Sequence, residues 1–322
     1  MRAPFLIGVE QPNSPVPMVM MKKINIVRLL QQAFEDFSKN DPLRMAGATA
    51  FFTTFALPAV LMILIQVFGL VLGPRFISRQ LFENLGEVVG RNTAIELHQT
   101  LFNVRLLIRH GWAAVFGFLF LIFVATTLLK VIKDSLNQLW NIRTIPHLGI
   151  KFNLMTRVKS FIVILLGGLF FLLVLLAEGG IDLLQQNADQ LTGNNLLVRN
   201  VVRQCLSFLL VTIWFSLLFK FLPDARPSWK TVITGGAFTS LLFNLGKLLL
   251  QWLLSYSNMQ TIYGASTSSA LLLLFVFYSS FIFYYGACFT RVWTEFNKKT
   301  IPPGEHAESY EWSQIKKPRR AS

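Results

Sequence analysis

Between Ala265 and Phe289 the chain runs for about 25 residues without a charged side chain. A helix rising about 1.5 Å per residue carries such a run across a hydrocarbon core about 30 Å thick. The preceding apolar run, Thr231 to Leu254, is also long enough, but it contains Lys247. An ammonium group at that depth is costly and is kept facing protein or a water-filled cavity. These two runs constrain the fold more than any other stretch: they require membrane-crossing helices around one sheltered cation.

The neighbours of Lys247 are patterned. Gly236, Ser240, Asn244, Lys247, Gln251 and Ser255 follow at steps of four or three, so a helix places them in one stripe opposite a face of Leu, Phe and Ile. Two readings fit. The stripe either holds helices together, through small residues and interhelical amide hydrogen bonds, or lines a polar pathway for a substrate. Tyr256, Tyr263 and Gly264 around the following turn are candidates for the same pathway. Their plain alternative is an interfacial aromatic belt with a glycine that permits a tight turn.

The whole chain supports an all-α polytopic membrane protein. Only 14% of its 322 residues are charged, against about 25% in soluble domains. The apolar runs are continuous and not alternating, which excludes a transmembrane barrel. Six spans are expected, near 45–72, 112–129, 161–177, 201–222, 231–254 and 265–289. Pro58 is expected to kink the first, and Ala46, Ala50 and Thr54 give it a small-residue face. The connection 73–111 predicts two amphipathic helices broken near Gly90, lying in the interface or capping the bundle. The pattern after the second span continues helical beyond the membrane.

Three regions follow. Residues 1–44 form a cytoplasmic segment with a Pro-rich start and an amphipathic helix. That helix, with Ile26, Leu29, Leu30, Phe34 and Phe37 on one side, lies at the membrane surface or under the bundle. Residues 45–290 form the six-helix domain, and 291–322 a flexible basic cytoplasmic tail. No cleaved signal peptide is expected.

The net charge of +14 reads as topology. Six Lys/Arg precede the first span, six follow the second, three mark the hairpin after the fourth and seven lie in the tail. The positive-inside rule then gives six spans with both termini in the cytoplasm. The expected partners are membrane lipids, with anionic headgroups at the cytoplasmic face, and further copies in a homo-oligomer. A nucleic-acid face would gather its cations on one soluble module, and none is present.

His98, His110, His147 and His306 lack metal-ligand spacing. No nucleotide-binding, zincin or hydrolase motif occurs. Cys205 and Cys288 read as small buried hydrophobes. No cofactor and no enzyme activity are expected.

Several motifs in order carry a resemblance. They are AGATAFFTTFALP with Ala50, Phe51 and Pro58, then Leu136-Asn137 with Trp140, and Leu222-Pro223 with Trp229. Gly235-Gly236-Ala237, Tyr256, Tyr263-Gly264-Ala265 and Gly286-Ala287 follow. The chain resembles the YihY/virulence factor BrkB family of bacterial inner-membrane proteins, once misnamed as ribonuclease BN. The resemblance implies six transmembrane helices and, from one branch, export of lipids or lipopolysaccharide precursors. It also implies an acidic residue after the late Gly-Ala, where this chain has Cys288. The expected function is a transporter or flippase of a lipidic or amphipathic anionic substrate. The alternative is a non-transporting scaffold or envelope-assembly factor, and a membrane-bound ribonuclease is not expected.

Overall fold

The computed structural model describes residues 26–89, 91–107, 112–145, 166–167, 169–170, 196–256 and 267–310. Its named elements, in order, are α1 (Ile26–Lys39), α2 (Pro42–Leu72), α3 (Pro74–Val89), α4 (Arg91–Leu107) and α5 (Trp112–Leu139). Then come β1 (Ile142–Thr144), α6 (Leu196–Phe221), α7 (Trp229–Tyr256), α8 (Thr267–Phe296) and β2 (Ala307–Ser309).

Among the described residues three helices are long and apolar enough to cross a bilayer: α6 over Gln204–Phe221, α7 over Trp229–Leu250 and α8 over Ser269–Phe296. The two limbs of α2 make a fourth if taken as one span. The limbs Pro42–Pro58 and Val60–Leu70 meet at 43°. Pro58 has no N–H to donate, and its ring crowds the carbonyl one turn back, so the bend falls where a kink is expected. The expected second span lies within α5. The expected third lies outside the described residues except at four helical positions, where Phe170 stacks on Trp214 of α6 at 5.4 Å.

The chain leaves α1 through Asp41 in the left-handed region (φ 53), and Pro42 opens α2. Proline suits a first helical position because its missing N–H would have no partner there. At the other end Gly73 (φ +87) turns the chain into α3 and donates its N–H to the Gly69 carbonyl at 2.9 Å. A Cβ on Gly69 would lie 2.9 Å from Cα of Pro74, so this turn needs glycine at both positions.

α1 packs against the bundle. Leu29, Ala33 and Phe37, one turn apart, are buried. Leu29 and Ala33 share a cluster with Phe289 and Val292 of α8, while Phe37 meets Phe281 edge-on at 4.8 Å. Phe34 meets Tyr285 of α8 edge-on at 6.2 Å, and Ile26 is exposed at the start of α1. α3 and α4 make the long connection two helices, parted at Gly90. Leu97 of α4 clusters with Leu272 of α8, joined by Leu57, Phe82 and Leu85. Of the two expected settings, capping the bundle is the one these contacts support.

Two corrections concern the end of the chain. The region from Arg291 is ordered as far as Tyr310: α8 runs on to Phe296, and β2 pairs antiparallel with β1, Arg143 opposite Glu308. The carbonyl of Asp224 accepts from Gly304 N–H at 2.8 Å, and Arg226 N–H donates to the Pro302 carbonyl at 2.9 Å. The all-α expectation therefore gains one two-stranded ribbon. Backbone pairing with a distant partner fixes this segment, although its own composition suggests mobility.

α7 and α8 meet through reciprocal glycines. A Cβ on Gly235 would overlap Thr290, and one on Gly286 would overlap Thr239. Each threonine hydroxyl donates to the carbonyl of the glycine one turn back on its own helix, both at 2.7 Å. The hydroxyls are thus satisfied within each helix, and small residues allow the backbones to approach. Gly286→Ala is expected to destabilise the protein by about 1–3 kcal/mol through overpacking. A second change, Thr239→Ala, is expected to recover part of that loss, as measured by thermal unfolding in detergent.

Candidate functional site

The stripe on α7 divides. Gly236 faces α6 closely, and a Cβ there would lie 2.8 Å from the Thr212 carbonyl oxygen. Ser240 donates its hydroxyl to the Phe208 carbonyl at 3.1 Å, and Asn244 donates to the Ser240 carbonyl at 2.8 Å. Gly236 and Ser240 therefore serve the seam between α6 and α7, while Asn244 is bonded within its own helix. Lys247 is half-buried and makes no ion pair among the described residues. Gln251 and Tyr256 continue α7, but their side chains lie outside the described residues, as do Tyr263 and Gly264 entirely.

One end of the bundle is held by a polar clamp centred on Asp224, in the hairpin between α6 and α7. Lys133 of α5 pairs with its Oδ1 at 2.8 Å. Asn137 Nδ2 and Thr144 Oγ1 donate to its Oδ2 at 3.1 and 3.0 Å. Asp224 N–H donates in return to Asn137 Oδ1 at 2.9 Å. Beside it, Trp140 Nε1 donates to the Ala287 carbonyl at 3.0 Å, and Arg291 donates to the Leu139 carbonyl at 2.9 Å. Arg291 also pairs with Asp36 of α1 at 3.6 Å and with Glu295 at 2.8 Å. Tyr284 and Thr49 join α8 to α2 by a hydroxyl pair at 2.6 Å. Lys220 donates to the Pro227 carbonyl at 2.6 Å and lies over the Trp229 ring, which shapes the hairpin.

Several motifs behind the resemblance thus belong to this clamp: Asn137, Trp140, the Leu222-Pro223 hairpin and Ala287. Sequence reasoning missed its centre, Asp224. The only local signal is an acid directly after Leu-Pro in a short loop. Its partners Lys133 and Asn137 lie about 90 residues earlier in the chain.

A cavity of about 1150 Å³ lies toward the other end, among the last turns of α2 and the hairpin of α3 and α4. Each helix gives it one face: Met62, Ile65 and Gln66 from α2; Arg75, Ser78, Arg79, Phe82, Glu83 and Gly86 from α3; Ala94, Ile95, His98, Gln99, Leu101 and Phe102 from α4. The His98 ring meets Phe82 edge-on at 4.8 Å, so α3 and α4 fold back on one another. Arg79 approaches Glu83 at 3.9 Å, and both are exposed. Exposed pairs of this kind contribute at most about 1 kcal/mol. Arg75 makes no ion pair among the described residues. The signal for this cavity is the three- and four-residue spacing along α3, which sequence reasoning read only as amphipathicity. No cluster of His, Cys, Asp or Glu suited to a metal occurs among the described residues.

Apolar helices long enough to cross a bilayer, clamped together at one end, define an integral membrane protein of the helical-bundle class. The family model described as virulence factor BrkB matches residues 33–311, and the chain belongs to that family. It is 28% identical over 251 residues to a UPF0761 membrane protein of Pseudomonas aeruginosa, covering 75% of this chain and 57% of the relative. A UPF0761 membrane protein of Saccharophagus degradans is 25% identical, covering 83% of this chain and 60% of the relative. One of Mannheimia succiniciproducens is 24% identical, covering 80% and 86%. The chain thus spans less than two thirds of the first two relatives. No solved structure matches.

Removing the Asp224 carboxylate strands the Lys133 ammonium, which is only 14% exposed. Asp224→Ala is expected to cost about 2–4 kcal/mol, chiefly from the unpaired cation and the orphaned donors. In a double-mutant cycle with Lys133→Met, read by thermal unfolding, the second change is expected to cost less than it does alone.

Proposed function

We propose that the protein moves, or helps move, an amphipathic anionic substrate of lipid type through a bacterial inner membrane. It does so as a six-span protein with both termini in the cytoplasm and without enzymatic chemistry of its own. The observation that supports this reading is the cavity of about 1150 Å³, whose lining mixes apolar side chains with two arginines. Ligand pockets commonly span roughly 300–1,000 Å³, so this one has room for a polar group with part of a chain. The clamp at Asp224 and the cavity occupy different ends of the bundle. That asymmetry suits a carrier open toward one side and held shut at the other.

Lys247 then serves as a second cation for an anionic headgroup, or as a partner for a neighbouring helix. Lipids at the cytoplasmic face meet the basic termini, and a homo-oligomer is compatible with the exposed apolar face of α7 at Leu241, Leu245 and Leu248. A non-transporting scaffold is the second reading, favoured by the use of Gly236 and Ser240 in packing.

The test is reconstitution in vesicles with a fluorescent anionic phospholipid whose leaflet exchange is followed by quenching. Transport above protein-free vesicles, reduced several-fold by Lys247→Met at unchanged protein level, is the expected result. Lys247→Met that lowers folding yield alone, with no exchange by the parent protein, would support the scaffold. Topology is checked separately. A fluorescent protein fused after residue 322 is expected to mature in the cytoplasm, and a periplasmic reporter inserted between α3 and α4 to be active.

A further inference from the structure

We infer that the cavity among α2, α3 and α4 holds the phosphate of a lipid headgroup between Arg75 and Arg79, an inference that rests on reading this cavity as the substrate site. The two arginines stand one turn apart in the first two turns of α3, and both line the cavity with Ser78 between them. Side chains four apart on a helix share a face and reach the same object. A guanidinium matches phosphate oxygens with paired N–H donors, which makes arginine the preferred residue for this anion.

The charge balance of the lining leaves room for an anion. Glu83 is the carboxylate of this lining, and it meets Arg79 at 3.9 Å with both groups exposed, a weak hold. Arg75 has no such counterion among the described residues. Next to this cationic corner the wall is apolar, with Met62, Ile65, Phe82 and Leu101. A free phosphate ion would leave that wall and most of the volume without a partner. A phosphodiester carrying acyl chains uses both, with phosphate at the arginines and the start of the chains along the apolar wall.

The test uses purified full-length protein in non-ionic detergent with three probes: dioctanoyl phosphatidylglycerol, dioctanoylglycerol, which lacks phosphate, and inorganic phosphate. Binding is read from native mass spectra and from the shift in unfolding temperature. The protein is expected to bind phosphatidylglycerol at least about tenfold more tightly than diacylglycerol, and Arg75→Gln with Arg79→Gln to lose at least about tenfold for phosphatidylglycerol alone. Both side chains are exposed, so the double variant is expected to unfold at the parent temperature. The paired Lys substitutions are expected to recover part of the affinity, as point charges without the fork. Equal phosphatidylglycerol affinity in parent and double variant overturns the inference. Arginine-dependent binding of inorganic phosphate with no preference for the lipid reassigns the site to the free ion and overturns the lipid source. Arginine-dependent lipid binding in a protein that exchanges no lipid in vesicles upholds the site and removes the transport reading.

Discussion

The fold depends on one half-buried carboxylate, that of Asp224. Asp224 accepts an ammonium at 2.8 Å and two neutral donors on its other oxygen, while its backbone N–H and carbonyl are both taken. Burying a charge is tolerable only when its partners are complete, and here they come from α5, from β1 and from the segment before β2. The hairpin between α6 and α7 is thereby held to two parts of the chain that are remote in sequence. Trp140 on the Ala287 carbonyl and Arg291 on the Leu139 carbonyl extend the same fastening to α8.

Away from that end the helices are held by shape. Lipid tails are as apolar as leucine, so helices in a membrane gain little from hiding apolar surface and much from close backbone approach. Gly235 and Gly286 provide it between α7 and α8, and Gly236 between α6 and α7. Aromatic contacts fill the wider gaps, with Phe219 and Phe283 stacked at 5.1 Å. The α3–α4 hairpin sits outside this scheme. Its own apolar residues pack on α2 and α8, and both polar and apolar side chains of the pair border the cavity.

Much of this was legible in the residues. Hydropathy located α6, α7 and α8 because a spanning helix must be long and apolar throughout. Periodicity located α3 and α4 on either side of Gly90, and Pro58 marked the bend in α2. The stripe around Lys247 was legible as a pattern but not as a role. Whether a polar face meets a helix or a cavity depends on which helix lies beside it, and α6 claims Ser240 through the carbonyl of Phe208, 32 residues away. Asp224 was illegible for the same reason. Nothing in the loop itself announces that Lys133, Asn137 and Thr144 converge on it. The cavity was missed because amphipathic spacing gives a face without saying what stands opposite.

The ribbon of β1 and β2 has one further consequence. By joining Ile142 to Ser309 it turns roughly 165 intervening residues, three apolar helices among them, into a closed ring. Ring-closure entropy rises only logarithmically with contour length, so a ring this large is hardly harder to shut than one of half the size. A three-residue ladder is too short to shut it unaided. Its persistence leans on the contacts around it, with Thr144 on the Asp224 carboxylate and Gly304 on the Asp224 carbonyl.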